Sequence, residues 1–353
     1  MLFYVSMRVL LFVILTSFSV ISAKTQWTLR ISPSLCSFKD LHYSTSSHDR
    51  EQHIVYALAR GYVFAFNLKN FSIDSIKLHG ENISGEQHVL DAKNGRLLIG
   101  KGGMQIKYAI DVKTGKCSVF IPHRDDEQSH FSALYWNHTK ERLGYFGGYG
   151  YHEVKNWIYE YDNQSQWNIV HANNANCNPP KRSLSRFILG DPKKPHLFIV
   201  SGGTGNCSGN QKEQTCNGGL SAIGNDMGNW CWLRDVFLYD YENYTFMNII
   251  GPHEESMTHE GVGVYDFDNN AMYIVGGYIP RVRERTFHSY MSHNSLLRLR
   301  IGKDKKFQNV PAKTKGMNLY SWHDQHNYCA YYNPAHKSIV WFRNDGVWEL
   351  SLN

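Results

Sequence analysis

The chain has 353 residues, 42% of them apolar and 14% aromatic, enough for a large core in one extended domain or two ordinary ones. Charged residues make up only 19%, which argues against long disordered stretches. A net charge of +6 with no dense Lys/Arg block falls short of a nucleic-acid-binding surface.

The first element is a leader. Arg8 precedes an apolar run over residues 9–20, and Ile21-Ser22-Ala23 supplies small residues for a cut before Lys24. This predicts a secretory signal peptide over residues 1–23. An uncleaved signal anchor is the alternative, because the apolar stretch from Leu2 is nearly long enough to span a bilayer. No later run approaches that length. The expected mature chain is secreted, or periplasmic in a bacterium, and spans no membrane.

From there one pattern recurs: a short apolar strand, a polar turn, a second apolar strand, two small residues. Its copies cover residues 42–59, 88–103, 130–148, 185–203, 259–277 and 327–342. The middle four close on glycine pairs: Gly102-Gly103, Gly147-Gly148, Gly202-Gly203 and Gly276-Gly277. Two further strands follow nearly every copy, at residues 62–78, 106–121, 156–170 and 235–250, and at 295–301 with 306–310. Period-two alternation rich in Val, Ile, Tyr and Phe marks strands throughout, and no amphipathic helix is evident. Self-similarity at this period is the mark of a repeat architecture.

Four antiparallel strands per repeat predict an all-β fold, a six-bladed β-propeller. Its blades are expected at about 33–79, 80–121, 122–170, 171–250, 251–310, and 311–353 plus 24–32, with boundaries uncertain by roughly 2–4 residues. The last repeat ends after three strands, so the fourth is expected from residues 26–32, pairing the N- and C-terminal strands and closing open edges. Residues 24–353 thus form a single domain.

These repeats resemble the kelch family. A kelch blade has two glycines closing its second strand, then a Tyr, then a Trp six residues on. Gly147, Gly148, Tyr161 and Trp167 meet that pattern; Gly202, Gly203 and Tyr239 meet it in part, with Phe246 near the Trp position. Gly276 and Gly277 have Phe307 there. Blades fan out from a narrow axis, so glycine is needed where backbones crowd, and a large aromatic fills the widening wedge. Two secreted enzyme types share this resemblance: a copper-dependent galactose oxidase and a bacterial sialic-acid mutarotase. The first needs two tyrosines, two histidines and a Cys–Tyr crosslink, which do not map residue by residue onto this chain.

In a four-stranded blade the links between strands 2 and 3, and from strand 4 to the next blade, share one end. The other two turns share the opposite end. The long segments (residues 149–155, 171–184, 204–233, 278–293 and 311–325) all fall at the first end, where function is expected. Candidate contacts there are the aromatics Tyr149, Tyr151, Trp230, Trp232 and Trp322. Flat rings beside Arg and Asn suit a carbohydrate or peptide. Trp157 opens a strand and is expected in the core. Arg281, Arg283 and Arg285 alternate, with His288 close by, and so form a candidate anion grip. Arg182, His259 and His326 are placed at the mouth of the axis, where they would serve as acid–base groups in an enzyme.

Seven cysteines suit an oxidising compartment. Cys177, Cys207, Cys216 and Cys231 are disulfide candidates around the 204–233 insertion; Cys36 and Cys329 form another candidate pair, leaving Cys117 over. Asn70, Asn137, Asn163 and Asn243 are sequons at the turn end, and Asn82 and Asn206 at the loop end. No nucleotide, serine-hydrolase or zinc-protease motif occurs, so no metal and no cofactor are expected. The sequence reads as a monomeric secreted binding module for a protein or glycan ligand, with a sugar-active enzyme as the alternative.

Overall fold

The computed structural model describes residues 26–35, 41–59, 61–79, 87–100, 106–120, 132–150, 153–154, 156–162, 166–171, 179, 181–182, 186–194, 197–201, 204–206, 222–227, 230–233, 235–250, 262–276, 278–279, 291–292, 296–304, 306–312, 329–343 and 345–352. They form an all-β, propeller-like arrangement of four-stranded antiparallel sheets, six of them among the described residues. The first sheet is His42–Asp49, Ile54–Ala59, Tyr62–Asn67 and Ile73–Lys77; the second is Gln87–Asp91, Arg96–Gly100, Ile106–Asp111 and Cys117–Val119. Ala133–Asn137, Arg142–Phe146, Ile158–Tyr161 and Trp167–Val170 make the third, and Arg186–Leu189, Leu197–Ser201, Val236–Asp240 and Thr245–Ile250 the fourth. Val262–Asp266, Ala271–Val275, Leu296–Arg300 and Gln308–Val310 make the fifth. The sixth joins Cys329–Asn333, Ser338–Arg343 and Gly346–Ser351 to Trp27–Ile31, with Trp27 opposite Leu350 and Leu29 opposite Trp348.

First strands lie side by side around the axis, and that of the sixth sheet returns beside that of the first. Each sheet packs on both neighbours, so inner strands are apolar on both faces. All five residues of Ala133–Asn137 are buried, whereas the outer strand Trp167–Val170 is partly exposed. Apolar cores fill the wedges between neighbours. Leu41, Val55 and Phe66 of the first sheet and its lead-in meet Ile31, Tyr331 and Phe342 of the sixth. Val89 and Leu98 of the second sheet meet Leu134, Tyr145 and Tyr159 of the third, with Trp167 packed against them. Trp167 lies 5.3 Å from Tyr161 and 5.1 Å from Tyr145 between ring centroids, so the aromatic spaced from the glycines does fill a wedge. Trp27 buries its indole 5.4 Å from that of Trp341.

The end carrying the 1–2 and 3–4 turns follows one rule that motif spacing had not exposed. An Asp or Asn ends a strand, and its side-chain oxygen accepts backbone N–H bonds from the next turn. Asp49 accepts from Glu51 and Gln52, Asp91 from Asn94, Asn137 from Lys140, Asp266 from Asp268 and Asn269, and Asn333 from Ala335. Four residues on, the chain turns left-handed at His53, Gly95, Glu141, Asn270 and Lys337. Asn67, Asp111 and Asp240 repeat the device between third and fourth strands.

Candidate functional site: the two ends of the axis

At the opposite end, the connection between second and third strands is short in three adjacent sheets. It spans residues 344–345 in the sixth, 60–61 in the first and 101–105 in the second. In the third, fourth and fifth sheets it is long, and each builds a further small sheet. Tyr149–Gly150 pairs with Glu153–Val154, and Tyr278–Ile279 with Met291–Ser292. In the fourth, Trp230–Leu233 lies between Thr204–Asn206 and Ala222–Met227. The register sets Trp232 opposite Thr204, Cys231 opposite Gly205 and Trp230 opposite Asn206.

Two glycines start this end. Gly147 and Gly148 have φ of +70° and +97°, a region side chains disfavour. Gly147 donates its N–H to the Trp157 carbonyl (3.0 Å) and Gly148 to that of Arg182 (2.8 Å). The glycine pair therefore both reverses the chain and ties the third sheet to the segment leading into the fourth.

Arg182 is corrected by its surroundings. It is fully buried, and its Nη1 and Nη2 donate to Oδ1 and Oδ2 of Asp235 at 2.7 and 2.9 Å. Its guanidinium carbon lies 5.5 Å from the Phe237 ring centroid. A bidentate pair sealed from solvent positions the base of the loop end and offers nothing to a ligand. Trp157, expected in the core, is 40% exposed. Asn137 is also corrected: it is buried and donates Nδ2 to Glu160 Oε1 at 3.0 Å, so no glycan can be attached to it in the fold. Asn70 and Asn243 are exposed turn residues. Asn206 lies in the ribbon, while Asn82 and Asn163 lie outside the described residues, as do Tyr151, His259, Arg281, Arg283, Arg285, His288, Trp322 and His326. Among the cysteines, Cys329 is buried in the first strand of the sixth sheet; Cys36, Cys177, Cys207 and Cys216 lie outside the described residues.

The turn end holds a site that motif reading missed. A solvent-open recess lies on the axis, lined by the first strands of the first, fourth, fifth and sixth sheets and the turns after them. Arg50 reaches across the axis, from the first sheet to the opposite fourth, and donates through Nη1 to the Gly190 carbonyl. Burial is the main reason its pKa is pushed down to about 10, against the opposing pull of Asp191 and Tyr241. His48 beside it is buried, 5.3 Å from the Tyr331 ring, and its Nε2 has no hydrogen-bond partner among the described residues. Burial, then the charge of Arg50, hold its pKa down at about 3, so the imidazole is neutral. Tyr265, Phe267, Tyr331 and Tyr332 form the aromatic wall. A signal was present: the stretch HYSTSSHD is polar where inner strands of other repeats read ALYWN, VGVYD and CAYYN.

The chain matches no family model and no curated protein. The kelch resemblance thus stands on the spacing of glycines and aromatics.

Proposed function

We propose that the chain is a secreted, closed six-bladed propeller of kelch type whose loop end binds a protein or a glycan. The observation that carries this reading is the asymmetry of that end. Three adjacent sheets raise additional β-ribbons, while the other three connect their second and third strands by short links. A rigid ring with elaboration gathered on one sector suits a recognition surface better than a uniform scaffold does. The sequence supports a ligand with flat apolar faces, since Trp230 and Trp232 belong to the 204–233 insertion. The buried Arg182–Asp235 pair holds the base of that sector fixed. The signal-like leader supports export, and the protein is expected to act as a monomer.

The test is a screen of the mature chain against immobilised glycans and extracellular proteins. It is repeated after residues 204–233 are replaced by a short Gly-Ser link. Binding by the intact chain that disappears in the trimmed chain, with an unchanged melting temperature, supports the reading. Binding that survives trimming overturns it. Chemical conversion of a bound sugar would move the reading to a sugar-active enzyme of the same fold.

A further inference from the structure

We infer that the axial recess at the turn end binds a small organic carboxylate, its anionic end on Arg50 and its apolar body against Tyr265, Phe267 and Tyr331. The site stands apart from the ribbons and does not depend on their role.

Three observations converge on it. First, Arg50 is a largely buried cation whose described hydrogen bond goes to a neutral carbonyl, that of Gly190. Among the described residues no carboxylate reaches ion-pair distance of it; Asp191 acts on it only from further off. A guanidinium carries five donors in a planar fork that matches a carboxylate, so most of its capacity is unspent. Second, the Nε2 of His48, in the same recess, is buried without a partner among the described residues. Buried polar atoms are normally satisfied, and a polar group on a ligand would complete this one. Third, the remaining wall is aromatic and aliphatic, with Ile188 and Val264 beside the tyrosines. One cation and a neutral imidazole suit a monoanion; a phosphate dianion would need more donors than the wall supplies. An apolar wall rewards an apolar body, so an organic carboxylate fits better than a bare inorganic anion.

The experiment titrates the full mature chain with sodium benzoate, benzamide and inorganic phosphate, followed by calorimetry and by arginine Nε–H resonances. Benzoate should bind saturably, and about tenfold or more tighter than benzamide or phosphate. R50Q should lose about tenfold or more in benzoate affinity, and H48F a smaller factor. Equal binding of benzamide, binding of phosphate alone, unchanged affinity in R50Q, or no saturation by benzoate would each overturn the inference. Should R50Q fail to fold, the unaltered chain carries the test: benzoate has to shift one arginine Nε–H resonance that benzamide leaves in place.

Discussion

At the turn end, Asp49, Asp91, Asn137, Asp266 and Asn333 close the first strands of five different sheets with the same side-chain-to-backbone bonds. At the loop end the sheets diverge: second and third strands are separated by residues 60–61 in the first sheet and 202–235 in the fourth. Repetition at one end gives the ring its geometry. Divergence at the other gives it individuality, at no cost to the sheets, because long excursions leave strand pairing untouched. Among the described residues the turn end departs from this regularity at the axial recess, where the first repeat carries His48 and Arg50.

The comparison breaks most severely at Arg182–Asp235. D235A strands a buried guanidinium and should cost about 3–5 kcal/mol in denaturant unfolding, whereas R182M/D235L should recover much of that loss. Equal losses in both would mean that the pair is not the anchor of the loop end. G148V forces a β-branched residue to φ +97° and should cost about 1–3 kcal/mol, read as a lowered melting temperature. At the turn end, D266A removes two backbone acceptor contacts and should cost about 1–2 kcal/mol, leaving any loop-end binding intact.

The smallest effect is one of pH. Burial alone would raise the Glu349 pKa, but hydrogen bonds from Ser338, His336 and Arg30 outweigh it and hold it below its ordinary 4.5. A depressed carboxylate contributes stability that is present above 4.5 and is lost as pH falls through the folded value. Because Arg30 belongs to the N-terminal strand (2.7 Å to Oε2), acid should weaken the terminal pairing first. E349Q should flatten the fall in melting temperature below about pH 4.5. An identical acid profile in E349Q would remove Glu349 from closure.

Much of the scaffold was legible because its signals are local. Gly147 and Gly148 announce the positive φ they adopt, and Tyr161 and Trp167 fall in the wedge their spacing implied. The site was less legible because its pairings are long-range. Nothing near Arg182 says that Asp235 awaits it, nor does the sequon at Asn137 reveal that Glu160 already holds its amide. Arg50 bonds to Gly190 only because the fold sets the first sheet across from the fourth, 140 residues on. The Asp and Asn capping rule was readable in principle, since it repeats with a fixed offset, but it lies in turns whose polarity looks unremarkable one at a time.

We propose that one cooperative ring, sealed by Trp27–Ile31 against Gly346–Ser351, carries ribbons that are energetically separate from it. Native-state hydrogen exchange on the mature chain tests this directly. Strand amides of all six sheets, including Trp27–Ile31, should exchange together as the slowest unit, with amides of Trp230–Leu233 exchanging well ahead of them. Release of Trp27–Ile31 before the other strands, or ribbons as slow as the ring, would contradict it.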